Sequence, residues 1–171
     1  MEPRIQIYDD FYAEHEALYK TLIATVEWDD RMAARRTASF GHPYNYSQIS
    51  YPETPIPKDL LPLLGLLYER LQVCFNNCLL NYYETGGNTM GFHSDDTTGL
   101  VPGTGVAIVS LGSIRGITYR SKDAPQIQRS FALQPGSLLY MDDLMQKSWV
   151  HAIKRQKVAG SRISLTWRAF K

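Results

Sequence analysis

With 171 residues, 44% of them hydrophobic, the chain can bury one core but is too short for two ordinary domains, so residues 1–171 are expected to form a single domain. A net charge of +1 excludes the dense basic surface of a protein that coats bulk nucleic acid, and leaves local basic clusters open. Two cysteines, Cys74 and Cys78, with no histidines at zinc-ligand spacing, exclude a disulfide scaffold and a zinc site; both are expected as buried free thiols.

The N-terminus, MEPRIQIYDDFYAEHE, is polar and acidic and has no signal-peptide pattern. Asp9 or Asp10 is placed to cap a first helix, whose apolar positions Phe11, Leu18, Leu22, Ile23 and Val26 fall near a 3.6-residue period. The stretch TASFGHPYNYSQISYPETPIPKD that follows is rich in Pro, Tyr and Ser and reads as a long functional loop or short hairpin. A second helix is predicted from about Asp59, with Pro62 in its first turn and Leu63, Leu64, Leu67, Leu71 and Val73 on its apolar face. The apolar run over residues 60–75 is broken by Pro62, Glu69, Arg70 and Gln72, so no membrane span is expected. A soluble intracellular monomer, in cytoplasm or nucleus, is the expectation.

After residue 76 the chain turns to short β-rich runs, CLLNYY, GVAIVSLG, GITYR, RSFAL, SLLYM, SWVHAI and RISLTWRAF, separated by Gly, Pro, Asn and Asp. Two helices against six or more antiparallel strands make an α+β, mainly β, domain built as a sandwich or open barrel.

Side chains two apart on a strand share a face, so His93 and Asp95 in MGFHSDD are expected to point together. Taken alone, that pair reads more readily as a surface His and Asp near a turn, since four histidines and 17 acidic residues produce about 0.4 such pairs by chance. The last strand is more informative. In Arg162–Arg168 the odd positions are Ile163, Leu165 and Trp167, and the even ones Arg162, Ser164, Thr166 and Arg168. An edge strand with its polar face in water would read the same way. If the apolar face packs on the two helices instead, the polar face enters the barrel, where a buried guanidinium requires an anion. Arginine grips a carboxylate through two nitrogens. By the same alternation Asn81 and Tyr83 share a face and can supply an amide and a phenol to that anion, and His151 adds a second histidine.

His-x-Asp followed at a distance by His has the form of a two-histidine, one-carboxylate triad, which occupies three positions of an octahedral Fe(II). The order N-x-Y-x-x-G, H-x-D, H, R-x-x-x-x-x-R resembles the AlkB family of Fe(II)/2-oxoglutarate dioxygenases over roughly residues 36–170. RRTASFG and the tyrosines after it look like the eukaryotic-type DNA repair members. The resemblance implies a double-stranded β-helix (jelly-roll) core with two supporting N-terminal helices, and a nucleotide-recognition lid near residues 36–58. It implies His93, Asp95 and His151 as iron ligands, and Arg162 with Tyr83 on the distal carboxylate of 2-oxoglutarate. Asn81 and Arg168 would orient the keto-acid end or Asp95, with Ser164 and Thr166 as small polar contacts. The implied reaction uses O2 and 2-oxoglutarate to hydroxylate an N-methyl group on a base of DNA, or of RNA, with loss of formaldehyde.

Phe40 and Tyr46, with His42 and Tyr44, are candidates for stacking on a flipped base, ordinary loop packing being the alternative. Repair members carry an acidic residue two positions after the metal aspartate; here it is Thr97, and Asp96 is expected to face away from His93. Two rivals remain at this point: a hydroxylase of a protein or small molecule with the same iron site, and a non-catalytic jelly-roll module that binds an anion or metal.

Overall fold

The computed structural model describes residues 1–46 and 48–171; Ser47, inside the predicted lid, lies outside the described residues. In chain order the elements are β1 (Ile5–Tyr8), α1 (His15–Thr25), β2 (Arg36–Gly41), β3 (Tyr44–Tyr46), β4 (Ile49–Tyr51), α2 (Leu61–Leu71), β5 (Asn77–Tyr83) and β6 (Met90–His93). They continue as β7 (Val106–Gly112), β8 (Arg115–Ser121), β9 (Gln128–Leu133), β10 (Leu138–Met141), α3 (Met145–Ser148), β11 (Trp149–Ile153) and β12 (Arg162–Arg168). One antiparallel sheet has the order β1-β10-β7-β12-β5-β2, a second has β6-β11-β8-β9, and β3-β4 is a separate hairpin. The mainly β, jelly-roll type of architecture agrees with the expectation. No helix among the described residues is long and apolar enough to cross a membrane.

Two apolar clusters hold the layers. In the first, Leu18 and Leu22 of α1 and Leu63 and Leu67 of α2 pack on Ile163, Leu165 and Trp167 of β12 and on Cys78 and Leu80 of β5, all buried. Helical neighbours four apart and strand neighbours two apart are what put these residues on single faces. The second cluster lies between the sheets, with Tyr83, Ile108, Leu139 and Met141 meeting Ile117, Tyr119, Leu133 and Ile153. β12 therefore belongs to the middle of a sheet, and the edge-strand reading does not hold.

Several predicted details differ. The helices do not precede the strands: β1 comes first and β2 to β4 lie between α1 and α2. Asp9 and Asp10 do not cap α1. Asp10 takes the left-handed conformation at φ 57°, Tyr12 N–H donates to Gly136 O at 2.9 Å, and only after that anchor does the helix begin, with no side-chain cap. α2 starts after a 3-10 turn at Lys58–Leu60 and ends where Gln72 turns left-handed at φ 55°, so Val73 lies outside it. Cys78 is buried but Cys74 is exposed, its side chain turned out between the buried Val73 and Phe75.

Residues 36–41, predicted as the start of a loop, are a strand, because pairing with β5 from Arg36↔Tyr82 to Gly41↔Asn77 satisfies their backbone. Within residues 36–58 only the β3-β4 hairpin and its flanks then stand apart from the main sheet. Gly41 makes the turn: its φ is +84°, and a Cβ there would lie 2.1 Å from Asn76 O.

Candidate active site

β12 and its neighbours set the site by register. Arg162 lies opposite Tyr83, Ser164 opposite Asn81 and Ser110, Thr166 opposite Leu79 and Ile108, and Arg168 opposite Asn77. All these side chains leave the sheet on the side away from the helices. The second sheet brings the histidines, since His93 of β6 and His151 of β11 are direct register partners with ring centroids 4.3 Å apart.

Asp95 is not on the strand; β6 ends at His93, so alternation does not account for its direction. It is held from outside instead. Its N–H donates to Gln146 Oε1 at 2.7 Å, and its Oδ2 accepts from Arg168 Nε and Nη2 at 3.0 and 2.7 Å. Oδ1 is left for the histidines, 3.5 Å from His93 Nε2 and 3.9 Å from His151 Nε2. Ligand atoms of the three residues all lie within 4.8 Å of one another, the one such cluster among the described residues.

The protonation states suit a metal. Burial works against the Asp95 carboxylate, yet the Arg168 guanidinium, with help from both histidines, holds its pKa far below the usual range. Burial lowers His151 to about 4, so its imidazole is neutral at physiological pH. His93 Nδ1–H donates to Gly91 O at 2.8 Å, a partner that can only accept, and the ring is thereby turned with Nε2 toward Asp95. Two imidazoles and a carboxylate on one side of a point make the donor set that Fe(II) accepts with positions to spare.

The closed end of the barrel holds unpaired polar atoms. Arg162 is 1% exposed; its Nη2 donates to Ser110 Oγ at 2.8 Å, while Nε and Nη1 have no protein partner. The hydroxyls of Tyr83 and Tyr119 are also buried without partners. Burial lowers Arg162 to about 10, which still leaves it charged. An anion with a carboxylate at its far end fits this donor set, as 2-oxoglutarate requires. Asn81, 3% exposed, lines the cavity in front of the triad with Thr166 and Arg168, and Ser164 is buried beside it in register.

The predicted substrate residues separate. Tyr46 lines the same cavity as His93, Asp95 and His151. Its hydroxyl accepts from Arg35, and its ring stacks on Tyr44 with centroids 6.0 Å apart. Tyr44 in turn lies under the Arg168 guanidinium at 4.9 Å, and His42 stacks on Phe170 at 4.8 Å. Phe40 does not join them. Opposite Cys78 on β2, it faces the helix layer and packs in the first cluster, so it is removed from the base-contacting set. Asp96 is exposed, and its carboxylate accepts from Thr98 N–H and hydroxyl at 2.9 and 2.8 Å. Thr97 is half-buried in the loop after Asp95 and does not line the cavity.

Sequence reasoning missed Gln146, Ser110, Tyr119 and Arg35. Arg35 is 4% exposed and joins Asn81 Oδ1 at 2.7 Å, Thr89 O at 3.0 Å and the Tyr46 hydroxyl, coupling the hairpin to the site strand. A basic residue immediately before a strand of the site sheet was the available signal.

The 2OG-Fe(II) oxygenase superfamily matches residues 13–168. Similar proteins include the DNA oxidative demethylase ALKBH2 of Bos taurus, 30% identical over 91% of this chain and 64% of that protein. ALKBH2 of Homo sapiens is 32% identical over 78% and 56%, and alpha-ketoglutarate-dependent dioxygenase alkB homolog 3 of Mus musculus 28% identical over 96% and 65%. The chain thus spans less than two thirds of the length of these relatives. In fold it matches the structure of OsALKBH1 with a TM-score of 0.66 at 16% identity, over 98% of this chain and 99% of that one. Superfamily match, relatives, fold and a His-Asp-His cluster agree, and the chain belongs to the AlkB family of Fe(II)- and 2-oxoglutarate-dependent dioxygenases.

Proposed function

We propose that the protein oxidatively demethylates alkylated nucleobases, with DNA as the nucleic acid. The observation that carries the reading is the convergence of the His93, Asp95 and His151 cluster with the unpaired guanidinium of Arg162 inside one barrel. A module that only bound an anion or a metal would need one of these and not both. Bound Fe(II), 2-oxoglutarate and O2 supply the oxidation of an N-methyl C–H bond.

The protein's part is holding and screening. His93, Asp95 and His151 hold the metal, and Arg168 keeps Asp95 ionised and commits its second oxygen. Arg162 and Tyr83 hold the distal carboxylate, while Asn81, fixed through its carbonyl oxygen by Arg35, offers its amide nitrogen to the keto-acid end. Tyr46 lines the cavity and, backed by Tyr44, offers an aromatic ring suited to a base turned out of its helix. Relatives named as DNA oxidative demethylases support the choice of substrate class.

The test is turnover of 2-oxoglutarate to succinate under Fe(II) and oxygen, with and without an oligonucleotide carrying an N-methylated base. Formaldehyde released in step with the repaired base is the expected result. Succinate formation that no methylated oligonucleotide stimulates would move the substrate to a protein or small molecule, and no succinate at all would remove the catalytic reading.

A further inference from the structure

We propose that Arg115 is a positioning residue for the cosubstrate, a second buried cation that makes the closed end of the barrel select a dicarboxylate. The proposal rests on the assignment of the distal carboxylate to Arg162 and Tyr83. Arg115 opens β8, is 0% exposed, and has no carboxylate within ion-pair distance among the described residues. Its guanidinium donates only to main-chain carbonyls: Thr85 at 3.3 Å, Gly86 at 3.2 Å, Asn88, and Lys154 at 3.0 Å. Its Nε has no partner.

Arg162 likewise has no carboxylate, and the guanidinium carbons of Arg115 and Arg162 each lie 5.4 Å from the centroid of Tyr83. The two cations are therefore at most twice that distance apart across one ring, and the Tyr83 hydroxyl is buried with no partner. Buried charges without counter-ions are costly, so two of them kept beside one buried ring signify an anion that is present in the working state.

A purely mechanical role is the competing account. Through Thr85, Gly86 and Asn88 the side chain fastens the turn that leads into β6, and through Lys154 the end of β11, so it ties together the two histidine strands. That clamp acts on the metal and on any keto acid alike. A charge acts on the distal carboxylate alone, and at an effective dielectric near 20 an opposite charge about 8 Å away is worth roughly tenfold or more in affinity. The two roles therefore separate on the ratio of affinities for 2-oxoglutarate and for 2-oxopentanoate, which carries a methyl group where the distal carboxylate would be.

The experiment is calorimetric binding of both keto acids to the Mn(II)-loaded full chain without oxygen, for the unmodified protein, Arg115→Gln, Arg115→Lys and Arg162→Lys. Arg115→Gln should lower the 2-oxoglutarate to 2-oxopentanoate preference roughly tenfold, over and above any loss that 2-oxopentanoate shares with it. Arg115→Lys, which keeps the charge and loses most of the carbonyl bonds, should keep most of the preference. An equal loss for both keto acids in Arg115→Gln, or a preference in Arg115→Lys as low as in Arg115→Gln, overturns the proposal; if the glutamine variant does not fold, a collapsed preference in the lysine variant does so by itself. An effect of Arg162→Lys with none of Arg115→Gln would leave the distal-carboxylate assignment standing and remove this inference, and no effect of either would remove both.

Discussion

Replacing Arg162 with lysine keeps a cation at the closed end of the barrel but removes the fork. Nε and Nη1 have no protein partner, and Nη2, which donates one of its two hydrogens to Ser110 Oγ at 2.8 Å, keeps the other, so Nη2 with either neighbour can grip a carboxylate through two nitrogens. Lysine brings one nitrogen on a more mobile stem and can meet one carboxylate oxygen, losing the second charge-assisted hydrogen bond. Such a bond contributes about 1.5–3 kcal/mol, which corresponds to about 10- to 150-fold weaker binding of 2-oxoglutarate. Calorimetric titration of the Mn(II)-loaded, oxygen-free protein reads the change directly, with near-ultraviolet circular dichroism as the control for folding. An unchanged affinity would falsify the assignment of Arg162 to the distal carboxylate and turn attention to Arg168, the other arginine of the strand.

Alanine at His93, Asp95 or His151 should each abolish turnover with little change in secondary structure, because a three-ligand site loses its geometry with any member; succinate made by any of the three variants would sink the metal assignment. Tyr46→Ala should cut activity on methylated oligonucleotide by an amount equivalent to about 1–3 kcal/mol while 2-oxoglutarate turnover without substrate stays near normal, and equal losses in both assays would show a folding role. The metal-free protein should lose stability as pH falls from 6.5 to about 4. His151 takes up its proton near the ordinary value when unfolded and near 4 when folded, so unfolding binds a proton across that window, at up to about 1.4 kcal/mol per pH unit. Urea unfolding of His151→Asn should show a flatter slope there, and an identical slope contradicts the assignment. Thr97→Glu should steepen the preference in kcat/KM for cationic over neutral methylated bases by adding a carboxylate to the loop that follows Asp95; no change would mean that residue 97 does not reach the base.

The polar half of the site was legible because β12 alternates strictly: Arg162, Ser164, Thr166 and Arg168 needed only a period of two and an apolar partner layer. Asp95 was found on a wrong premise, since its direction comes from Gln146 and Arg168, 51 and 73 residues away in the chain, and no local pattern encodes that. Phe40 was misplaced because a short run with Ser and Gly reads as loop until β5 is seen to pair with it. Arg115 was invisible for a related reason. Its guanidinium is satisfied by main-chain carbonyls, and such partners leave no mark on composition or periodicity.

The two faces of β12 have a consequence for how the protein tolerates change. Seven consecutive residues supply the helix-side core on odd numbers and the polar inner face on even ones, so the strand has no neutral position. Inserting or deleting a single residue within 162–168 would reverse the faces beyond it, turning Trp167 into the cavity and Arg168 into the leucines of α1 and α2. The same change in the stretch between Ile153 and Arg162, which has no regular structure, leaves the pairing intact. Length variation among functional relatives should therefore collect in that connection and stop at Arg162, a boundary that a deletion scan across residues 154–168 would locate to the residue.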